Sequence, residues 1–297
     1  MPARILDGAA IARHIYTSLA PRIAALDQRG VQPGLAALQI GDNAASQIYV
    51  RNKVRACTEI GIHSEVHRLA ADCTEAAALK ILEKLNRSPR LHGVIVQLPL
   101  PSGLDARRLL QSVAAEKDVD GFNRDNLGAL VDARRGLVPC TPLGVMAMLD
   151  DAGIAIEGRH AVVIGRSTSV GKPMALLLIN RGATVTVCHS KTQDLATHAA
   201  RADILIAAAG RAGLVTADMV KPGAVVIDVG INRMPDGKLA GDVAFASVSE
   251  RASWITPVPG GVGPMTVAML IANTVTAAER IADTQMFSAA VQDALTK

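Results

Sequence analysis

One stretch of this chain decides its fold, and it reads His160-Ala161-Val162-Val163-Ile164-Gly165-Arg166-Ser167-Thr168-Ser169-Val170-Gly171-Lys172-Pro173. Residues 160–164 are typical of a buried strand, and the residues from Lys172 to Asn180 are typical of a helix. The loop between them, Gly165–Gly171, contains glycines that let backbone N–H groups approach a phosphate at the helix N-terminus. Further strands are predicted at Thr184–His189, Asp203–Ala208 and Ala224–Val229. This order predicts a doubly wound, Rossmann-like nucleotide-binding domain.

The glycine loop departs from two familiar phosphate-binding patterns. It is not a Walker A loop, because five residues separate Gly165 from Gly171 and Pro173 stands where a Ser or Thr would hold Mg²⁺. It is not a full Gly-x-Gly-x-x-Gly either, since Ser167 takes the place of the second glycine. The strands that follow at the right spacing favour dinucleotide binding, with Gly165, Arg166 and Ser167 as cofactor-binding residues.

The second strand of this domain discriminates between NAD and NADP. An NAD site usually has an Asp or Glu about 20 residues beyond the first glycine, where it binds the ribose 2′-hydroxyl. Residues 184–191 contain no acid, whereas Ser190, Lys191 and Arg166 are suited to hold a 2′-phosphate. We therefore predict NADP, although Lys191 alone is also compatible with a solvated surface charge.

The N-terminal half alternates strands and helices, which predicts an α/β class with parallel pairing. Three helices are predicted, at Gly8–Gln28, from the turn at residues 41–43 to Ile60, and at Thr74–Asn86. Three strands are predicted, at Gly34–Ile40, Glu65–Leu69 and His92–Leu98. The stiff segment Pro139-Cys140-Thr141-Pro142 predicts a domain boundary. We expect an N-terminal α/β catalytic domain at 1–140, a Rossmann-like domain at 141–263 and a cleft between them. A last helix, from Pro264 to about Ile281 in the segment 264–297, is expected to return to the first domain.

A second chemical motif lies in the helix that follows the turn at residues 41–43. Tyr49 and Lys53 are one helical turn apart and share a face, and Ser46 precedes them on the same side. A phenol beside an ammonium on a rigid element is a plausible acid/base pair. For the motif alone, a solvated surface helix is the commoner explanation.

Composition excludes several classes of protein. The 297 residues are 49% hydrophobic and 20% charged, and a net charge of +4 suits an anionic ligand. The basic residues are dispersed, and one Trp, two Tyr and three Phe offer few stacking platforms for nucleic acid. No apolar run approaches the ~18 residues of a membrane span, and the N-terminus shows no signal-peptide pattern. The four cysteines lack Cys-x2-Cys spacing, which argues against zinc or a disulfide framework and favours the cytoplasm.

Six segments together resemble one family over nearly the whole chain. They are Ser46-x2-Tyr49-Val50-x2-Lys53, Gly93–Pro101, Lys117–Asn123, Pro139–Pro142, the Gly165 loop and Pro257–Thr266. The family is that of bifunctional methylenetetrahydrofolate dehydrogenases/methenyltetrahydrofolate cyclohydrolases. One departure is Ala44, where the family often has proline, and it affects a loop rather than a reacting group.

The resemblance implies two successive reactions, an NADP-dependent oxidation of 5,10-methylenetetrahydrofolate and hydrolysis of the product to 10-formyltetrahydrofolate. It implies that Lys53 handles protons, that Gln97 orients Lys53 and that Tyr49 aligns the folate ring. The remaining implied residues are Asp120 for the pterin, Ser46, Gly263 and Pro264 for the folate, and Ile231 and Thr266 for the nicotinamide. It also implies a homodimer. The ordinary alternatives are an exposed Lys53, a strand end at Gln97 and a turn cap at Asp120.

Three other functions fit part of the sequence pattern. A short-chain dehydrogenase also uses Tyr-x3-Lys, but in that family the nucleotide loop precedes the pair, whereas here the pair comes first. A dehydrogenase acting on a small acid such as shikimate shares a two-domain layout, but the segments 117–123 and 257–266 disfavour it. A nucleotide-sensing module without catalysis would tolerate loss of Lys53, Gln97 or Asp120, and all three are present.

Overall fold

The computed structural model describes residues 2–295 and shows alternating strands and helices. The strands are β1 Arg4–Ile5, β2 Gly34–Ile40, β3 His63–Leu69, β4 Gly93–Val96, β5 His160–Ile164, β6 Thr184–Cys188, β7 Ile204–Ala207, β8 Val225–Asp228, β9 Asn232–Arg233, β10 Leu239–Ala240 and β11 Trp254–Ile255. The α-helices are α1 Gly8–Gln28, α2 Ala44–Glu59, α3 Glu75–Arg87, α4 Ala106–Gln111, α5 Arg124–Val131, α6 Cys140–Asp151, α7 Gly171–Asn180, α8 Leu195–Ala199, α9 Phe245–Ser249 and α10 Val262–Leu295. Short 3₁₀ turns occur at Ala115–Lys117 and Ala217–Met219.

The chain divides into two compact units. The nucleotide unit contains the residues up to His14, Leu130–Arg134 and Pro139–Met269. The catalytic unit contains Ile15–Ala129, Arg135–Val138 and the chain from Leu270 onward. The third segment of the nucleotide unit begins next to the boundary predicted at residue 140, but the unit also takes in the N-terminal residues. The limits predicted for the two domains, 1–140 and 141–263, stay a prediction.

The nucleotide unit is built on a six-stranded parallel sheet. Its strand order is β1-β11-β8-β7-β5-β6, and every neighbouring pair runs parallel. Four residues of β5 are completely buried, as expected for a strand covered on both faces. No local sequence pattern predicts β1 and β11, because a two-residue strand is too short to show a period and forms only through a partner distant in sequence.

The catalytic unit contains a three-stranded parallel sheet of order β3-β2-β4. The central strand β2 is buried along its whole length, which matches its nearly uninterrupted apolar sequence. Helices α2 and α3 begin at side-chain caps: Asn43 accepts a hydrogen bond from the backbone of Ser46, and Thr74 accepts one from the backbone of Ala77. The predicted helix–strand alternation and parallel pairing of this half are confirmed.

Two predicted elements differ in length from those observed. The strand expected at His92–Leu98 is only β4, Gly93–Val96, although the N–H of Gln97 still donates to the carbonyl of Leu38 at 2.9 Å. The last helix was expected to end near Ile281, but α10 continues to Leu295 because no glycine or proline follows Pro264 to interrupt it. In the part of the chain that the structure describes, no helix is long and apolar enough to cross a membrane.

Candidate active site

Ser46, Tyr49 and Lys53 lie on one face of α2 in the catalytic unit, as their spacing predicts. Ser46 is buried, and its hydroxyl donates to the carbonyl of Leu98 at 3.3 Å, which ties the start of α2 to the chain that follows β4. Tyr49 presents 40% of its surface to solvent, so its ring is available to stack on a flat ligand. The helix thus presents one anchored and one accessible hydroxyl on the face that carries Lys53.

Lys53 is half-buried and hydrogen-bonded to Gln97. Its Nζ donates to Oε1 of Gln97 at 3.2 Å. The amide Nε2 of Gln97 donates to the carbonyl of Leu98 at 2.7 Å, and this bond determines that Oε1, the acceptor, faces the lysine. Lys53 is therefore held in place by a neutral acceptor.

Asp120 lies in a loop that runs beside β4, where Asp118 forms a bridge with Val94. Asp120 is half-buried. Burial raises the pKa of Asp120, and the positive charge of Lys53 lowers it. Because a charge effect of this kind requires proximity, the structure brings Lys53, Gln97 and Asp120 together in one unit.

Asp118 holds this loop in shape and was not among the predicted site residues. Its carboxylate accepts from the backbone N–H of Asn123 at 2.6 Å and from the side-chain amide of Asn126 at 3.0 Å. Asp118 is 3% exposed, and burial raises its pKa to about 6. The available signal was the pair of aspartates at alternate positions in Lys117-Asp118-Val119-Asp120, of which Asp118 is buried and Asp120 is half-buried.

The glycine loop of the nucleotide unit is closely packed at both of its glycines. Gly165 has φ +136°, and a Cβ at this position would lie 2.2 Å from the carbonyl oxygen of Ala208. A Cβ on Gly171 would lie 2.1 Å from the carbonyl oxygen of Gly165. The hydroxyl of Ser167 accepts from the backbone N–H groups of Val170 and Gly171, at 3.1 and 3.3 Å, and so caps α7.

The three residues predicted to hold a 2′-phosphate lie at the same edge of the sheet. Cys188 pairs in register with Ile164, and the N–H of Gly165 donates to the carbonyl of Cys188 at 2.8 Å. This pairing places Ser190 and Lys191, which follow β6, beside the loop that carries Arg166. All three side chains are exposed, so they are accessible to an anion.

The last group of predicted residues follows β8 and opens α10, also in the nucleotide unit. A Cβ on Gly263 would lie 3.8 Å from Cδ1 of Ile231, so these two residues are neighbours. Ile231 is 46% exposed, and Pro264 is half-buried. The hydroxyl of Thr266 lies 2.9 Å from that of Thr141 in α6, and it also donates to the carbonyl of Val262 at 3.4 Å.

Asp242 is a functional candidate that no sequence motif indicated. It is completely buried, and each of its carboxylate oxygens accepts two hydrogen bonds. Oδ2 accepts from the backbone N–H groups of Ala209 and Gly210 at 2.6 and 2.9 Å. Oδ1 accepts from the N–H of Arg211 at 2.8 Å and from the side-chain amide of Asn232 at 2.9 Å. Asp242 thereby connects the loops that follow β7 and β8, at the sheet edge where dinucleotides bind.

Asp228 completes this arrangement at the end of β8. Its carboxylate accepts from the N–H groups of Gly230, Asp242 and Val243, at 3.0, 2.8 and 2.9 Å. Burial raises the pKa of Asp228 to about 6, and these hydrogen bonds oppose the rise. A Cβ on Gly241 would lie 1.8 Å from Oδ2 of Asp228, so glycine is required there. Asp228 lies in the strand predicted at Ala224–Val229, whereas Asp242 lies in no predicted element.

We expect Asp242→Asn to weaken NADP⁺ binding at least about tenfold, because an asparagine must turn its NH₂ toward two groups that are themselves donors, and each buried unpaired group costs about 1–3 kcal/mol. Isothermal titration of NADP⁺ into folded protein measures the effect, with circular dichroism to verify folding. Asp236→Asn, on the exposed turn between β9 and β10, is the matched control and should bind normally. Unchanged affinity in folded Asp242→Asn protein would contradict a role for this carboxylate in shaping the site.

Two family models match the chain, one in each half. The model described as the tetrahydrofolate dehydrogenase/cyclohydrolase catalytic domain matches residues 6–120. The model described as the NAD(P)-binding domain of the same enzymes matches residues 139–282. Together they account for most of the chain, in the order that the sequence motifs predicted.

Known relatives resemble the chain over nearly its full length. The bifunctional protein FolD of Nitrosospira multiformis is 57% identical over 280 residues, which is 94% of this chain and 97% of that protein. Among solved structures, the FolD methylenetetrahydrofolate dehydrogenase/cyclohydrolase of Campylobacter jejuni is 48% identical, with a TM-score of 0.92 over 94% of this chain and 99% of that one. The Trypanosoma brucei enzyme, solved with NADP cofactor and an inhibitor, is 40% identical, with a TM-score of 0.90 over 94% and 98% of the two chains.

Proposed function

The chain belongs to the tetrahydrofolate dehydrogenase/cyclohydrolase family, and from that premise we propose how its residues serve the two reactions of a bifunctional enzyme. The first reaction is the NADP-dependent oxidation of 5,10-methylenetetrahydrofolate to 5,10-methenyltetrahydrofolate. The second is hydrolysis of that cation to 10-formyltetrahydrofolate. The observation that carries the assignment of residues is the hydrogen bond between Lys53 and Gln97 in the same unit as Asp120.

Oxidation requires placement of the folate more than proton transfer. Hydride transfer moves no proton to or from the protein, so an accurate position and a dry reacting face supply most of the acceleration. Asp120 binds the pterin, because one carboxylate accepts from an amino group and a ring N–H together. Tyr49 stacks on the folate ring, and Ser46, Gly263 and Pro264 contribute to folate binding.

Hydrolysis requires proton movement, and Lys53 provides it. Water adds to the methenyl carbon and loses one proton, which leaves a neutral carbinolamine. The bond from this carbon to N5 then breaks as N5 gains a proton and the hydroxyl loses one to become the formyl carbonyl, so one proton is released overall. A single basic group can accept the first proton and deliver the second. Gln97 keeps Lys53 in position throughout, because its own amide is held by the carbonyl of Leu98.

The nucleotide unit fits NADP. Gly165 and Gly171 let the loop pack closely on backbone carbonyl oxygens, and Ser167 accepts from the N–H of Gly171, the first residue of the helix that faces the cofactor phosphates. Arg166 and Ser190 hold the 2′-phosphate, and Ile231 and Thr266 contact the nicotinamide. When bound, NADP⁺ supplies the hydride acceptor.

We further propose that the protein is a cytoplasmic homodimer. The support for a dimer is the family resemblance, and the scattered cysteines support a reducing compartment. A solution mass near twice the 30.9 kDa of one chain, measured by light scattering after size exclusion, is the expected result, and a mass of one chain would contradict it.

Lys53→Met should lower the kcat of methenyltetrahydrofolate hydrolysis by about a hundredfold or more, because general acid–base catalysis typically contributes ~10²–10⁴-fold. The kcat of the dehydrogenase should fall much less. Loss of methenyl absorbance measures the first activity, and formation of NADPH measures the second.

Two further variants separate the role of Lys53 from a loss of structure. Lys84→Met removes an exposed lysine from α3 and should leave both activities intact. Gln97→Ala should lower the rate of hydrolysis and leave the dehydrogenase rate unchanged. Adding it to Lys53→Met should cause little further loss of hydrolysis, because the two residues act as a unit. Hydrolysis at the wild-type rate by folded Lys53→Met protein would remove Lys53 from the mechanism.

The wild-type enzyme should turn over with NADP⁺ and poorly with NAD⁺. Arg166→Ala should raise the KM for NADP⁺ by about 10- to 100-fold, because a hydrogen bond to a charged group contributes about 1.5–3 kcal/mol. The KM for NAD⁺, which lacks the 2′-phosphate, should change little. Arg181→Ala, which removes an arginine paired with Asp150 at the other end of α7, is the control. Equal changes for the two cofactors would contradict the assignment of Arg166 to the 2′-phosphate.

A further inference from the structure

A cavity lies at the amino ends of the parallel strands in the nucleotide unit. Its volume is about 420 Å³, which falls within the range of small-molecule sites. The residues that start the strands line up beside one another: Arg4 pairs with Trp254, Trp254 with Val225, and Val225 with Ile204. All of them line the cavity. The glycine loop follows the carboxyl end of β5, so this cavity is separate from the cofactor site.

Three cations and one carboxylate surround the cavity: Arg4, Arg159, Lys221 and Asp203. The carboxylate is already engaged, since Oδ1 of Asp203 accepts from Lys221 at 2.5 Å and Oδ2 accepts from the backbone N–H of His160 at 3.0 Å. The bond from Lys221 is the largest cause of the lowered pKa of Asp203, and the charge of Arg159 also lowers it. Lys221 and Asp203 therefore neutralise each other.

The two arginines are the remaining charges. Among the side chains that the structure describes, no carboxylate lies within ion-pair distance of Arg4 or Arg159. The guanidinium of Arg4 lies 5.3 Å from the ring centre of Trp254, a cation–π contact that holds it at the cavity wall. Among the described residues, these two guanidinium groups form no ion pair, and they line a space large enough for a small molecule.

The backbone of the cavity wall supplies few additional donors. The N–H of Gly153 already donates to the carbonyl of Asp150, that of Ile154 to Leu149 and that of Gly223 to Arg251. Recognition of a ligand here must therefore come mainly from the side chains. Arginine favours carboxylate and phosphate groups, which match its planar fork with two parallel hydrogen bonds.

We propose that this cavity binds a small polyanion that carries at least two carboxylate or phosphate groups. Such a ligand satisfies both arginines at once and connects strands β1, β11 and β5 with the loop before β8. Because it binds the folded nucleotide unit and not the unfolded chain, it also stabilises the protein against unfolding. A monoanion reaches only one arginine and binds more weakly.

The chain contains its own reporter for this site, because Trp254 is the only tryptophan. The experiment titrates the full-length protein, free of nucleotide, with inorganic pyrophosphate and, separately, with citrate, at constant ionic strength. Acetate serves as the monoanion control. We expect a saturable change in Trp254 emission at millimolar or lower concentration of at least one polyanion and no saturation with acetate. The probe that binds more tightly, pyrophosphate or citrate, shows whether the site prefers phosphate or carboxylate groups.

Arg159→Gln is the principal variant, because it removes one of the two arginines without touching the indole ring. It should weaken the binding of the polyanion at least about tenfold, since it removes one of two charge-assisted contacts. Arg87→Gln, which removes an exposed charge from α3 in the catalytic unit, should bind normally. Dehydrogenase activity should be retained by both variants and verifies folding. The proposal is overturned if neither polyanion gives a saturable signal, or if Arg159→Gln binds it as tightly as the wild type.

Discussion

Parallel strand pairing is the constraint on which the rest of this structure depends. Every neighbouring pair in the six-stranded and three-stranded sheets runs parallel, so each connection must cross back over a face of its sheet. Both faces are then covered, and the carboxyl ends of the strands meet at one edge. The glycine loop after β5, Ser190 after β6 and Asp228 at the end of β8 lie along the same edge for this reason, although many residues separate them in the sequence.

Buried carboxylates keep the loops at that edge in place. Burying an ionised carboxylate is costly unless hydrogen bonds replace its water, and the donors that do so here are mostly backbone N–H groups of the loops themselves. A loop that must satisfy Asp242 or Asp228 has little freedom to move. Glycines at 230 and 241 leave room for these carboxylates, since a Cβ at either position would overlap a carboxylate oxygen. In the catalytic unit, Asp118 holds the loop of Asp120 in the same manner.

Much of the fold could be predicted from local patterns. Apolar runs of five to seven residues identified β2 and β5, and the turn at residues 41–43 located the start of α2. Elements without a local pattern were missed. Strand β1 forms only because β11, some 250 residues later, offers it hydrogen-bond partners, and the hairpin of β9 and β10 is equally short. The predicted end of α10 near Ile281 was too early, because residues with good helix propensity continue beyond it without a stop signal.

The sequence by itself determined the chemistry of this protein: which residues are present, their spacing on α2 and in the glycine loop, and the family to which they belong. Side-chain identity and local periodicity carry that information directly. Only the tertiary structure decided which of these residues meet. The bond from Lys53 to Gln97 crosses from a helix to a strand end, Asp242 is buried because two loops enclose it, and Arg4 reaches Trp254 through a strand pair. Such contacts depend on the balance of burial and pairing over the whole chain, and no local pattern encodes them.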